Sequence, residues 1–327
     1  MTVNRRMVLA SAPVAAAAAG LSPAFAQTAA PAASASAGSV QAPGFYRYKV
    51  GDIEVTAIHD GFAMRPLEGF IRNADIADVK KAMAEAFLPD NALPITFTTL
   101  VVKTGGKTVL IDTGNGDSGA PTSGRWMSNF RAAGFDPAQV DTVLISHFHG
   151  DHINGLRLKD GSAVFPKAEI MVPEAEWAFW MDDSKMNAAP EAMKGAFGNV
   201  RRVFGPAAKD VKQFQADKEV APGITAVPAY GHTPGHTAFR ISSGGKQLIM
   251  VVDITNHPAL FVRNPNWAAV FDMDADKARE TRIRMLDMIA ADRMQVAFYH
   301  APFPATGHVL KEGSGFRFVP VQWTPAV

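Results

Sequence analysis

The stretch at residues 142–152, TVLISHFHGDH, joins a short apolar segment to a run of histidines. Residues 142–146 predict a strand buried on both faces, because apolar side chains follow one another without alternation. A buried strand delivers the residues that follow it to the edge of its sheet, where binding and catalytic loops are found. His147 and His149 are separated by one residue, so in an extended segment their side chains point to the same side. The stretch therefore predicts a functional site at one sheet edge.

A second pair of polar residues follows immediately. Gly150 lets the backbone turn, which brings Asp151 and His152 toward a second point nearby. Three imidazoles and one carboxylate within six residues favour two adjacent metal sites over an exposed polar loop. Nitrogen and oxygen ligands of this kind suit zinc, iron, cobalt or manganese.

The composition restricts the class of protein. The chain has 327 residues, 47% of them hydrophobic and 19% charged, which is enough to bury a sizeable core. The lack of cysteine excludes disulfides, thiolate metal ligands and a cysteine nucleophile. Lys and Arg (32) nearly balance Asp and Glu (31), so no nucleic-acid partner is expected. Beyond the N-terminus no apolar run of about 18 residues occurs, and no membrane span is expected.

The N-terminus has the pattern of a bacterial export signal. Residues 1–26 contain Arg5 and Arg6, then an apolar stretch, then small residues that predict cleavage after Ala26. The arginine pair followed by apolar residues resembles a twin-arginine signal. Residues 27–42 are small and polar and predict a disordered tether. The mature protein is therefore expected in the periplasm or outside the cell.

The remainder, residues 43–327, alternates strand and helix patterns without a long linker, which predicts one catalytic domain of the α/β class. The order of elements is similar in its two halves, which indicates two sheets with helices outside. The predicted strands are 45–50, 53–58, 98–103, 108–112, 142–146, 169–172, 224–228, 238–242, 247–252, 295–299 and 316–321. The predicted helices are 74–87, 123–133, 174–181 and 274–291.

The histidine run resembles the H-x-H-x-D-H motif of the metallo-β-lactamase-fold hydrolases. Later segments match that family in order: GHTPGHT at 231–237 contains His232, the apolar segment before Asp253 matches the strand of a bridging aspartate, and YHA at 299–301 contains His300. The resemblance covers roughly residues 43–321. It implies an αβ/βα four-layer sandwich, with two central mixed sheets, helices outside, and a metal pair at one edge of the sheets.

The resemblance also implies how the ligands are divided between two divalent ions, with zinc as the first expectation and iron, cobalt or manganese as alternatives. Asp253 bridges the two ions, and a hydroxide between them is the implied nucleophile. Asp151 and Asp253 are the candidate catalytic proton carriers, and the sequence does not choose between them. The implied ligands of the first ion are His147, His149 and His232, and those of the second are Asp151, His152 and His300.

Two further residues are expected next to the ligands. His236 lies four residues after His232, and we interpret it as a hydrogen-bonding neighbour of the ligands. Asp112 lies in a segment that resembles a family loop, so it is either such a neighbour or part of a turn.

Aromatic residues are candidates for the substrate pocket. Trp180 matches an aromatic position that walls the pocket in one group of the family, although core packing is an equally good interpretation. Phe197 and Phe303 are weaker candidates. His308 is expected in a loop near His300, where it could also form part of the wall.

The overall resemblance is to the methyl parathion hydrolase group and its related lactonases and arylesterases. The segments PGFYR at 43–47 and GFRFVPV at 315–321 resemble the opening and C-terminal segments of that group. The absence of cysteine argues against the branch of zinc β-lactamases, which use a cysteine where this chain has Asp253. Val252 is a departure, because the group often has glycine before this aspartate.

These features predict an exported dinuclear hydrolase of small-molecule lactones or aryl esters, with phosphotriesters as further substrates. The alternatives are another hydrolase of the same fold, such as a β-lactamase or thioesterase, and a metal-dependent binding protein without turnover. The resemblance suggests a homodimer, to which an exposed apolar loop around Ile71 could contribute.

Overall fold

The structure is a computed structural model that describes residues 41–325 and residue 327. The predicted signal peptide, residues 1–26, and residues 27–40 of the predicted tether lie outside the described residues. None of the helices in the described part of the chain combines the length and apolar character needed to cross a lipid bilayer.

The first half of the domain forms a seven-stranded mixed sheet whose strands lie in chain order. The first four strands are antiparallel: short hairpins join β1 to β2 and β3 to β4, and a longer connection that contains a helix joins β2 to β3. The next three strands run parallel to the fourth. These strands are β1 (Phe45–Val50), β2 (Ile53–Pro66), β3 (Ala92–Thr104), β4 (Lys107–Ile111), β5 (Thr142–Leu144), β6 (Glu169–Pro173) and β7 (Lys212–Phe214).

The second half forms another seven-stranded mixed sheet, again with its strands in chain order. Only β11 and β12 are parallel neighbours, and a helix connects them. The strands are β8 (Glu219–Ala221), β9 (Ile224–Pro228), β10 (Thr237–Ser243), β11 (Lys246–Val252), β12 (Gln295–Phe298), β13 (Thr306–Glu312) and β14 (Gly315–Pro320).

The helices of the described part of the chain are short, except for two. They are α1 (Ile76–Glu85), α2 (Trp126–Ala132), α3 (Gly150–Ile153), α4 (Glu174–Trp180), α5 (Asp183–Ala188), α6 (Glu191–Phe204) and α7 (Ala275–Ala291).

Three apolar clusters show how the layers pack. Along β3, Leu100 belongs to the cluster between the sheets, whereas Val101 belongs to the cluster under α2 and α6. Along β11, Met250 faces the first of these clusters, and Ile249 packs with the α7 residue Met285. Successive strand residues thus serve opposite faces, which buries both faces of each sheet. The predicted sandwich of two mixed sheets with helices outside is confirmed.

Several local expectations were wrong. His308 does not lie in a loop: it is an exposed residue of β13, a strand paired antiparallel with β14. Its segment has few apolar residues, so the pairing was not visible in the sequence. The loop around Ile71 does not expose its apolar side chains: Leu67, Phe70 and Ile71 are 1%, 3% and 6% accessible, and Ile71 forms a β-bridge with Ala269.

Candidate metal centre

The histidine run follows β5 directly, at the end of the sheet where the parallel strands terminate. His147 lies in the extended segment after the strand and is fully buried. His149 is the N-terminal flanking residue of α3, a single helical turn that contains Asp151 and His152. One strand and one turn of helix thus supply four of the seven predicted ligands.

The other three predicted ligands come from the second sheet. His232 lies in the turn between β9 and β10, and His300 follows β12. Asp253 follows β11, whose last residue, Val252, has a φ of 52°. A β-branched residue rarely adopts this left-handed conformation, and such strain is concentrated at functional sites. The methyl parathion hydrolase group often has glycine before this aspartate, and glycine adopts a left-handed conformation without strain.

The structure brings all seven side chains together in two adjacent groups. The potential ligand atoms of each group lie within 4.8 Å of one another. Asp253 reaches both groups: its Oδ2 lies 3.3 Å from His232 Nε2 and 3.0 Å from His300 Nε2. The first group is His147, His149, His232 and Asp253, and the second is Asp151, His152 and His300.

The unpaired atoms of these side chains fit divalent metal ions. His149 Nδ1 lies 3.1 Å from His147 Nε2 and 3.0 Å from His232 Nε2. Three ring nitrogens this close together repel one another when they are protonated, but all three can bind the same cation. His152 Nε2 and Asp253 Oδ1 are buried without any hydrogen-bond partner, which is unusual for buried polar atoms. The set of imidazoles and carboxylates without sulfur suits zinc and several other divalent ions.

Burial and mutual contact set the protonation of the histidines. Burial, reinforced by the neighbouring His232, lowers the pKa of His149 to about 3, so this ring offers a free lone pair at neutral pH. Burial likewise lowers the pKa of His147 well below its usual value. Burial also opposes protonation of His232, but Asp253 and Asp272 outweigh it and raise its pKa to about 9. The two carboxylates therefore favour positive charge beside His232, whether a proton or a metal cation carries it.

Both predicted neighbours of the ligands hold ligand segments through hydrogen bonds. Asp112 accepts from the backbone N–H and the hydroxyl of Ser146, and from His152 Nδ1 at 2.8 Å. His236 donates from Nδ1 to the Ala229 carbonyl at 2.9 Å and accepts at Nε2 from the Asp253 backbone N–H at 3.0 Å. Both ring nitrogens of His236 therefore have protein partners.

Three contacts at the site were missed by the sequence analysis. His232 Nδ1 donates to Asp272 at 2.9 Å, and His300 Nδ1 donates to the Thr96 carbonyl at 2.8 Å. The third is made by Glu176, whose carboxylate accepts from the backbone N–H groups of Phe148 and Gly235. Each contact joins residues far apart in the chain, and neither Asp272 nor Glu176 belongs to a recognisable motif.

A cavity of about 210 Å³ opens onto the ligand groups. Besides ligand residues and Gly150, its lining comprises three apolar side chains and two polar ones. The apolar residues are Ile95, Phe97 and Phe271, and the polar residues are Arg65 and Asn256.

None of the three aromatic pocket candidates is among the residues that line this cavity in the described chain. Trp180 is 1% accessible and Phe197 is fully buried, because α4 and α6 turn these rings into the core over the first sheet. The Trp180 ring centre nevertheless lies 6.4 Å from that of His149. Phe303 is partly exposed and packs against His59.

Family comparison agrees with this geometry. The metallo-beta-lactamase superfamily matches residues 94–294, which is more than half of the chain. The chain belongs to this superfamily. The match includes six of the seven grouped side chains and ends before His300.

Two curated relatives show similarity at lower coverage. The chain is 21% identical over 232 residues to an N-acyl homoserine lactonase of a Bacillus species, a match that covers 65% of this chain and 84% of the lactonase. It is 25% identical over 129 residues to a probable metallo-hydrolase of Mycobacterium tuberculosis. That match covers 38% of this chain and spans only 40% of the mycobacterial protein.

Solved structures are similar over most of the chain. The hydrolase AbOPH superposes with a TM-score of 0.82 at 27% identity, covering 87% of this chain and 100% of that one. AidC, a dizinc quorum-quenching lactonase in complex with the product N-hexanoyl-L-homoserine, superposes with a TM-score of 0.81 at 27% identity, covering 86% and 98%.

Proposed function

We propose that the protein is a metal-dependent hydrolase with two divalent ions, zinc in the first instance, and that its substrates are lactones and aryl esters. The observation that carries this proposal is the convergence of seven imidazole and carboxylate side chains, five of which line a cavity that also has three apolar side chains in its wall. The similarity to a lactonase in complex with an N-acyl homoserine favours lactones with an acyl-amide substituent. Phosphotriesters are proposed as secondary substrates, because the phosphorus of a polarised P=O group is open to attack by a nucleophile, as is the carbon of an ester C=O group.

The ligand side chains would hold the two ions as two groups joined by Asp253. Bound ions of this kind lower the pKa of a water and neutralise negative charge that develops on a substrate oxygen. The side chain of Asp151 is 24% accessible and lines the cavity, whereas that of Asp253 is 3% accessible. Asp151 is thus the better placed of the two aspartates to accept a proton and release it to solvent.

The remaining cavity residues bind and orient the substrate. Ile95, Phe97 and Phe271 offer an apolar surface for an acyl chain or an aromatic leaving group. Arg65 is exposed at the cavity and has its guanidinium 5.8 Å from the centre of the Phe271 ring. The position of Arg65 favours substrates that carry a carbonyl or anionic group on the part of the molecule next to this side chain.

The test is one panel of substrates on zinc-loaded protein: an N-acyl homoserine lactone, a γ-lactone, an aryl ester, a phosphotriester, nitrocefin and a thioester. We expect the lactones and the aryl ester to be hydrolysed with the highest kcat/KM, and hydrolysis to stop after chelation. Hydrolysis of nitrocefin or the thioester alone would replace the proposal by another hydrolase activity. No hydrolysis of any substrate would favour a binding protein.

We also propose that the protein is exported, on the basis of the arginine pair and small-residue site within residues 1–26. N-terminal sequencing of protein from the periplasm of the host should find a chain that begins at residue 27. Protein that stays in the cytoplasm with its first 26 residues intact would refute export.

A homodimer is also part of the proposal, and light scattering of the purified protein tests it.

A further inference from the structure

Two buried carboxylates outside the ligand set each contact one ligand histidine. Asp112 Oδ2 lies 2.8 Å from His152 Nδ1, and Asp272 Oδ1 lies 2.9 Å from His232 Nδ1. Asp112 is fully buried and Asp272 is 1% accessible. The two histidines belong to different ligand groups. Each group therefore has its own carboxylate behind one imidazole.

Asp272 is itself held by a buried cation. Arg282, on α7, is fully buried and donates from Nη2 to Asp272 Oδ2 at 3.3 Å. The Ala269 backbone N–H donates to the same oxygen at 3.1 Å. A buried guanidinium is costly unless its charge and its donors are satisfied, and Asp272 provides the opposite charge. Removing either partner would leave the other as an uncompensated buried charge.

The other donors of Arg282 hold the backbone near the site. Its Nε donates at 2.5 Å to the carbonyl of Ile254, the residue directly after Asp253. Its Nη1 donates to the carbonyls of Pro265 and Trp267 at 3.0 and 2.6 Å. A single side chain thus ties the segment after one ligand to the loop that leads to Asp272.

We propose that Asp272, held by Arg282, is the positioning residue for His232 and sets the affinity of the first ligand group for its metal ion. The acceptor at Nδ1 fixes the tautomer that leaves the Nε2 lone pair directed at the ligand group, and its charge strengthens that nitrogen as a ligand. Asp112 has the corresponding role for His152 in the second group. The two affinities are then controlled separately.

This inference rests on the proposed pair of metal ions, but its test requires no substrate. Zinc dissociation constants are measured by competition with a chelator for the unmodified protein, Asp272→Asn, Asp112→Asn and the double variant. Asparagine preserves the shape of the side chain and removes the charge. At position 112, where φ is 59°, asparagine also tolerates the left-handed backbone.

We expect Asp272→Asn to weaken one of the two zinc dissociation constants about 10–100-fold and to leave the other unchanged. Asp112→Asn should weaken the other constant by a similar factor, and the double variant should weaken both constants. If both carboxylates served one ion, the double variant would retain one constant of unmodified strength, and the inference would be wrong. Two unchanged constants in Asp272→Asn would also overturn it.

Arg282→Lys provides a second route to the same test, should Asp272→Asn fail to fold. Lysine keeps the charge but lacks the planar fork, so we expect it to weaken the same constant as Asp272→Asn. Arg279→Lys, on the same helix with its partner Asp276 at the surface, is the matched control and should leave both constants unchanged. An Arg282→Lys protein that folds with two unchanged constants would overturn the role of Arg282. Fewer than two ions in the unmodified protein would overturn the proposed metal pair as well.

Discussion

Asn256 places a carboxamide on the wall of the site cavity, and its Oδ1 is buried without a hydrogen-bond partner. A buried acceptor of this kind discriminates between substrates, because a ligand that leaves it unpaired bears its desolvation cost. The amide N–H of an acyl homoserine lactone could satisfy it.

At the residue scale, we predict that Asn256→Leu lowers kcat/KM for an N-acyl homoserine lactone roughly 5- to 10-fold, since one hydrogen bond worth about 1 kcal/mol is lost. A γ-lactone with an alkyl group in place of the amide is the matched control substrate, and its kcat/KM should stay the same or rise, because leucine removes the acceptor that this substrate leaves unpaired. Zinc content should not change. Equal losses on both lactones would show that Asn256 supports the site without reading the amide.

At the scale of elements, Glu176 of α4 connects the two loops that carry the first ligand group. Its Oε2 accepts from the Phe148 backbone N–H and from Trp180 Nε1. Its Oε1 accepts from the hydroxyl of Thr233 and the Gly235 backbone N–H. Phe148 lies between two ligands of the histidine run, so this one carboxylate holds ligand loops from both sheets.

We predict that Glu176→Gln lowers the free energy of unfolding by about 2–4 kcal/mol. The amide NH₂ that replaces one oxygen would face two donors, so two buried hydrogen bonds are lost. Glu174→Gln, an exposed position on the same helix, is the matched control and should change stability by less than about 0.5 kcal/mol. Urea unfolding of the metal-free proteins measures both. Equal stabilities of the two variants would contradict the role of Glu176.

The turn before His232 is a second element that tolerates little change. Gly231 has a φ of 125°, and a Cβ there would lie 2.2 Å from the Ala278 backbone nitrogen. Gly231→Ala should therefore displace the start of α7 and cost about 2–4 kcal/mol. Gly198→Ala is the control: this glycine lies on α6 with open space around its Cα, so alanine should stabilise by about 0.5–1 kcal/mol. Thermal unfolding of both variants checks the opposite signs.

The sequence was sufficient to predict the sandwich and to single out the seven grouped side chains. The histidine run after an apolar strand is a local pattern, whereas the sandwich and the other three side chains followed from the resemblance to the metallo-β-lactamase-fold hydrolases. It was insufficient for Asp272, Arg282 and Glu176, because the contacts that tie them to the site join residues 40, 28 and 59 positions apart and follow from tertiary packing alone. The orientation of Trp180 and Phe197 could not be predicted either, since helical spacing does not say which side of a helix faces a cavity. Core packing, the alternative interpretation for Trp180, matches its burial.

At the scale of the whole molecule, the metal ions should join the two sheets. His147, His149, Asp151 and His152 follow strands of the first sheet, and the other three ligands follow strands of the second. Cations that bind both sets would stabilise the folded state, because the unfolded chain offers no such site. The unpaired buried atoms of His152 and Asp253 would gain partners at the same time.

We therefore predict that chelation lowers the unfolding temperature and that added zinc restores it. Binding with free zinc at about 1,000 times the dissociation constant contributes roughly 4 kcal/mol per ion. Differential scanning calorimetry at several zinc concentrations measures the effect, with magnesium as the control ion, since it prefers oxygen ligands. An unfolding temperature that does not depend on zinc would contradict this prediction, because it would show that zinc does not stabilise the folded state.

The most direct test of a dinuclear centre is anomalous diffraction at the zinc edge from crystals of the zinc-loaded protein, together with elemental analysis of the same preparation. We predict two anomalous peaks for each chain, one within each ligand group and both in contact with Asp253. A single peak, or peaks remote from these seven side chains, would contradict the account.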